Sequence, residues 1–182
     1  CTVTIPAPTG VVVYQFDLLD SSGNALATNT VTLTIAPGAN SNLQAQLKGI
    51  VQTVVITTPT LTPGTAFSGP INVQAFDASG AQIVGSAPYN SPFIVTDNDT
   101  SGHTSLTNNG TTGLNVTVNS PNDVVILNYD GGPVTSFSFG VKSTNGPQPA
   151  NGGGNVPVTG QPTPTPKPSP TPTATPVGAP PT

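Results

Sequence analysis

Thr30-Val31-Thr32-Leu33-Thr34-Ile35 sets an apolar side chain at every second position, and Pro37-Gly38 then stops the run. Successive side chains of a strand point to opposite faces, so this stretch has one apolar face and one threonine face, as a half-buried antiparallel strand does. The same period recurs on both sides. Before it, Tyr14, Phe16 and Leu18 alternate with Gln15 and Asp17, and the turn signal Ser22-Gly23-Asn24 separates the two runs. After it, Leu43, Ala45 and Leu47 alternate with Gln44, Gln46 and Lys48. Residues 2–5 add a short strand. These segments define a first unit, residues 1–49, which is small enough to be incomplete.

A second unit is expected over residues 50–144. Its strands begin with 51–57, and Pro59 and Pro63-Gly64 break the chain after them. Ile71, Val73 and Ala75 start the next strand, which ends at the turn Asp77-Ala78-Ser79-Gly80. Short strands follow at 83–84 and 93–96, around a loop carrying Pro88 and Pro92. Leu114, Val116 and Val118 alternate with Asn115, Thr117 and Asn119; residues 124–127 are a continuous apolar run suited to a central strand; Phe137, Phe139 and Val141 alternate with Ser136, Ser138 and Gly140. About seven short strands punctuated by Gly, Pro, Asn and Asp turns form the pattern of an immunoglobulin-like β-sandwich. The fold class expected is therefore all-β, with two tandem Ig-like antiparallel sandwich units.

Residues 145–182 read as a Gly/Pro/Thr-rich extended tail. Proline at every second position from Pro162 to Pro172 supports neither a ladder nor a helix. It favours polyproline II, in which residues 159–182 reach about 70 Å.

Composition narrows the function. Charged residues are 5% of the 182-residue chain, against about 25% in an average soluble protein. Every acidic residue is Asp, and the three basic residues are Lys48, Lys142 and Lys167. With a net charge of −4 and no basic cluster, nothing displaces counterions from phosphates, which excludes nucleic-acid binding. No apolar run approaches the roughly 20 residues of a transmembrane helix. The chain starts at Cys1 rather than Met and reads as processed or partial. Solubility rests on Ser, Thr, Asn and Gln, a composition typical of bacterial surface proteins.

Cys1-Thr2-Val3-Thr4-Ile5-Pro6-Ala7-Pro8, Gly23 with Leu26-Ala27-Thr28, Leu47-Lys48-Gly49-Ile50-Val51, Asp77-Ala78-Ser79-Gly80, Tyr89-Asn90-Ser91-Pro92 and the 97–102 stretch follow one another in a recognisable order. In this the chain resembles a group of secreted bacterial proteins with tandem immunoglobulin-like domains, over residues 1–143. Members of that group carry further strands, with another cysteine, upstream of the segment corresponding to Cys1. The resemblance thus implies architecture and an external partner for Cys1, and it implies no activity.

The candidate sites are few. Asp97-Asn98-Asp99-Thr100-Ser101-Gly102 has the alternating oxygens of a calcium loop, with Asp97, Asp99 and Ser101 as ligands. The bidentate Glu that closes an EF-hand loop is replaced by Asn108, and a polar turn between strands explains the same residues. His103 has no Cys or Glu beside it with which to build a zinc site. Asn98, Asn109 and Asn115 begin N-x-[ST] sequons, which this composition produces in any case. Strand alternation places Asn115 and Thr117 on the solvent face. Thr163, Thr165, Ser169, Thr171, Thr173 and Thr175 sit among prolines, the composition of O-glycosylated stalks. Cys1 is the only cysteine; it serves as a lipidation site, as one half of a disulfide to another chain segment, or as a free thiol. Val156-Pro157-Val158-Thr159-Gly160 lacks the Leu and the basic apolar tail of a sortase signal.

No nucleophile–base pair, phosphate loop or metal triad is present in the sequence. The function expected is a non-enzymatic structural subunit of an extracellular, glycosylated filament or surface fibre. Four strands in 49 residues bury little apolar area, so a strand from another subunit is expected to complete the first unit, as in pili built by strand complementation. The expected partners are further copies in a homo-oligomer or helical polymer, and covalent glycans; calcium is the one candidate ion. The alternative is a cell-surface adhesin or glycan-binding module on a Pro/Thr stalk.

Overall fold

The structure, a computed structural model, describes residues 5, 8–38, 45–134 and 136–159. These residues are all-β, with no helix among them. Cys1, most of the 2–5 stretch, Leu43 and the tail from 160 onward lie outside the described residues.

The first sheet has the order β1-β2-β3, from β1 (Gly10–Leu19), β2 (Ala25–Ile35) and β3 (Lys48–Gly49). The β1–β2 hairpin is held by Asp20. Its carboxylate accepts from the Ser22 N–H at 2.8 Å and the Asn24 N–H at 2.9 Å, while Gly23 takes the positive φ of 83° that the turn requires. Antiparallel register places Val12 opposite Leu33 and Tyr14 opposite Val31, so the two apolar alternations share one face. The chain leaves this sheet at β3, where the Ile50 N–H still bonds the Leu26 carbonyl.

Three further sheets surround one core. The first of them has the order β13-β4-β6, from β4 (Thr53–Thr57), β6 (Asn72–Phe76) and β13 (Ala150–Asn151). The second, β5-β11-β8-β9, combines β5 (Phe67–Pro70), β8 (Thr104–Asn108), β9 (Thr111–Gly113) and β11 (Ile126–Tyr129). The third, β10-β7-β12-β14, combines β7 (Phe93–Asp97), β10 (Asn115–Val118), β12 (Phe137–Ser143) and β14 (Asn155–Val156). Each sheet turns its alternate apolar residues into a shared cluster: Val54 and Ile56 from β4, Leu106 and Leu127 from β8 and β11, Phe93, Val116 and Phe139 from the third sheet. The chain is thus one well-filled three-sheet unit preceded by a sheet in which none of residues 8–38 is buried.

Several expected boundaries shift. The sequence ended the second unit at 144, but β13 pairs with β4, β14 pairs with β12, and Val158 bridges Leu61. The sheet-paired chain therefore runs to Val158, because the stretch after 144 contributes backbone hydrogen bonds and two buried side chains, Pro149 and Val156. The β13–β4 pairing and the Leu61–Val158 bridge are parallel, whereas only antiparallel pairing was expected. The 83–84 strand reduces to a single bridge between Phe76 and Gln82, with Val84 exposed. The apolar run at 124–127 starts its strand only at Ile126, since Val124 follows the Asp123 turn and points outward. That strand is central, between β5 and β8, as expected. β5, β8 and β9 have no counterpart among the expected strands.

Leu127 is 0% exposed on the central strand. Leu127→Ala should lower the unfolding free energy by about 2–5 kcal/mol through lost transfer energy and a residual cavity. Val13→Thr, on an open face, should stay within about 0.5 kcal/mol of the parent. Urea unfolding followed by tyrosine fluorescence compares the two; equal losses would mean that the first sheet carries a core of its own.

Candidate functional site

Among the described residues, the first sheet has an edge and a face that no other sheet pairs with. Val12, Tyr14 and Phe16 on β1 and Val31, Leu33 and Ile35 on β2 line one face and are all only half-buried. The Tyr14 and Phe16 rings lie 6.3 Å apart on that face. On the other face, Val11 and Val13 are 72% and 60% exposed beside a row of threonines. The single charge on β1, Asp17, accepts from Thr28 Oγ1 at 2.5 Å and from Gln15 Nε2 at 2.9 Å. Those hydrogen bonds, the one from Thr28 foremost, hold its carboxyl below the ordinary value.

The 97–102 stretch forms a hydrogen-bonded knot at the end of β7. Asp97 is 3% exposed and accepts from the Asp99 N–H at 2.9 Å. Asp99 accepts from the Ser101 N–H at 3.0 Å and from Ser101 Oγ at 2.5 Å. Thr104 Oγ1 lies 2.7 Å from Asp97 and 2.9 Å from Asp99. One hydroxyl carries one proton, so it donates to only one of these carboxylates at a time. Burial, and to a lesser degree the neighbouring Asp99 charge, pushes the Asp97 carboxyl upward.

This knot gathers six side-chain oxygens, from two carboxylates and two hydroxyls, at the lower end of the six to eight that calcium takes. Asn108, which stands where a calcium loop would have its closing Glu, lies at the far end of β8. Its Nδ2 donates to the Thr117 carbonyl at 2.6 Å, and its Oδ1 is buried without a partner. No group of three or more His, Cys, Asp or Glu occurs among the described residues. Asp99-Thr100-Ser101-Gly102 also repeats a pattern found in two plain turns, Asp20-Ser21-Ser22-Gly23 and Asp77-Ala78-Ser79-Gly80. In each, the Asp carboxylate accepts the N–H two residues on, and the Gly has φ near +80°.

His103 Nδ1 lies 3.0 Å from Asp130 Oδ2. The hydrogen bond from His103, followed by that from the Gly132 N–H, holds the Asp130 carboxyl down. A side chain at Gly132 would meet the His103 ring at 2.1 Å, so only glycine permits this pairing without displacing the ring. The pair borders an open groove of about 590 Å³ that also includes Phe67, Ser68, Ser105 and Asn128. Sequence reading treated His103 alone and missed this groove, because β5 and β8 were not recognised as strands that carry Phe67 and Ser105 to the same place.

Asn98, Asn109 and Asn115 are all exposed, and Thr117 faces solvent as the alternation required. Asn98 Nδ2 donates to Ser138 at 3.3 Å, whereas Asn115 uses its Oδ1 to accept from Thr96 at 2.7 Å. Asn109 sits at a turn with φ of 47°. Cys1, Thr163, Thr165, Ser169, Thr171, Thr173 and Thr175 lie outside the described residues. No family model matches the chain, and no curated protein or solved structure matches it.

Asp123 fastens the loop between β10 and β11. It accepts from the Asn119 N–H at 2.7 Å and Ser120 Oγ at 3.0 Å. Burial alone would raise its carboxyl, but the hydrogen bonds together outweigh burial and leave it below the ordinary 3.8. A carboxyl lowered by folding adds stability that is complete above 3.8 and fades as pH falls through the folded value. Asp123→Asn should therefore destabilise the fold at pH 7, by at most about 1 kcal/mol because solvent screens the partly exposed carboxylate. Thermal melts from pH 7 downward should show the gap between variant and parent closing below about pH 4; a constant gap would mean that the carboxylate charge contributes nothing.

Proposed function

We propose that the chain is a non-enzymatic structural subunit of an extracellular, glycosylated filament or surface fibre, joined to other copies by β-strand sharing. The supporting observation is the mismatch within the first sheet. It has ordered register over ten paired positions, yet none of residues 8–38 is buried and its apolar face is only partly covered among the described residues. A half-covered apolar face backed by the exposed Val11 and Val13 suits an interaction surface, and low charge limits repulsion between packed copies.

In this reading the two parts of the chain are tandem Ig-like units. The Pro/Thr-rich residues beyond 159 are the extension, with sugars on Thr163, Thr165, Ser169, Thr171, Thr173 and Thr175. Asn115 is the favoured sequon in the sheets, since it is exposed and its Nδ2 has no partner among the described residues. An adhesin or glycan-binding module is the second reading, favoured by the open groove beside Phe67, His103 and Asp130. An aromatic ring beside hydrogen-bonding side chains suits a sugar ring.

Negative-stain microscopy of native material separates the two. The fibre reading expects regular filaments with a repeat near one or two subunit lengths, and intact mass above the sequence mass until sugars are released. Dispersed single particles that bind on a glycan array would favour the adhesin, and an unmodified monomer with no glycan binding would defeat both.

A further inference from the structure

Sheet edges expose unpaired N–H and C=O groups, and folded proteins guard them with short strands, charge, proline, bulges or cover. The three-sheet unit follows that rule. Its edge strands β5, β6, β9, β10, β13 and β14 span two to five residues. β1 does not follow it. It spans ten residues, pairs with β2 on one side and has no strand on its other side among the described residues. It holds no proline and no lysine, its only register irregularity is at Leu18/Leu19, and its one carboxylate is already hydrogen-bonded.

We propose that β1 pairs edge to edge with β1 of a second copy, antiparallel about a two-fold axis, giving a six-stranded sheet of order β3-β2-β1-β1-β2-β3. This rests on reading the chain as an assembling subunit and specifies its joint. Length selects the occupant, because no other edge strand among the described residues exceeds five residues. Among the described edge strands, only another β1 matches the whole edge.

Side-chain parity restricts the register. Residues directly opposed in an antiparallel pair point to the same face. The half-buried face of Val12, Tyr14 and Phe16 continues across the joint when the axis passes through Tyr14, which sets Val12 against Phe16. It also continues when the axis passes through Gln15, which sets Tyr14 against Phe16. An axis between the two opposes Tyr14 to Gln15 and breaks both faces, and a one-residue slip of that kind is what sheets resist most strongly. In both allowed registers Asp17 opposes a valine, Val11 or Val13, so like charges stay apart. An isologous joint closes on itself. The pair is then the repeating unit, and a fibre requires a second, different joint.

The test uses the full chain with Cys1→Ser, carrying Tyr14→Cys or Gln15→Cys. A residue on the axis faces its own copy at a Cα separation of about 4.5–5.5 Å, within disulfide range. Oxidation should double the mass of one of the two variants on a non-reducing gel, and reductant should reverse it. Cross-linking of both equally, or of neither while light scattering shows assembly, would overturn the joint and leave the subunit reading standing. Absence of any assembly would remove the subunit reading itself. Hydrogen exchange on the unsubstituted protein avoids any folding defect of the variants. A strand paired on one side leaves alternate amides open, so assembled material should protect both sets across residues 11–18; open alternate amides in the assembly would overturn the proposal.

Discussion

An aspartate carboxylate accepting the backbone N–H groups that follow it is the interaction on which this fold depends. Asp20 and Asp77 each close a turn in this way, Asp99 does so in the loop before β8 and Asp130 after β11, while Asp123 holds the loop before β11 by accepting the preceding Asn119 N–H. A chain with 5% charged residues cannot position its turns by ion pairs. Among the described residues the one such pair, His103–Asp130, is itself a turn contact. The turns in turn set the register of every hairpin, and register decides which side chains enter the core.

The described chain divides unevenly around that core. Phe93, Phe139, Leu106 and Leu127 are almost completely enclosed, while no residue of 8–38 is. Burial at about 25 cal/mol per Å² of apolar surface is the main favourable term in folding. The first sheet therefore draws little stability from its own side chains. Its attachment runs through Gly49 and Ile50, whose backbone bonds reach Asn90 and Leu26.

Much of this was legible in sequence. Strict alternation identified β1, β2, β10 and β12, and it assigned the outward face of Asn115 and Thr117 correctly. What escaped had a physical cause. Thr104-Ser105-Leu106-Thr107-Asn108 contains one apolar residue, so β8 lacks a periodic signal, although Leu106 is wholly buried. Phe67-Ser68-Gly69-Pro70 reads as a breaker, yet Pro70 is tolerated at the end of an edge strand. The Gly/Asn-rich stretch at 150–158 shows no hydrophobic pattern because its role in the sheets is played mainly by backbone. The Asp-x-Ser-Gly repeat was visible throughout and gives 99–102 the same turn geometry as 20–23 and 77–80.

The return of the chain at its described end bears on how the unit would carry load. Ala150 and Gly152 donate to Gln52 and Val54, Leu61 donates to Pro157, and Thr159 donates to Leu61. β13 runs parallel to β4, so the start of one and the end of the other lie at opposite ends of the same pair. A pull between residue 50 and residue 159 would act along these strands. The hydrogen bonds would then be sheared together instead of opened one after another, an arrangement that resists tension.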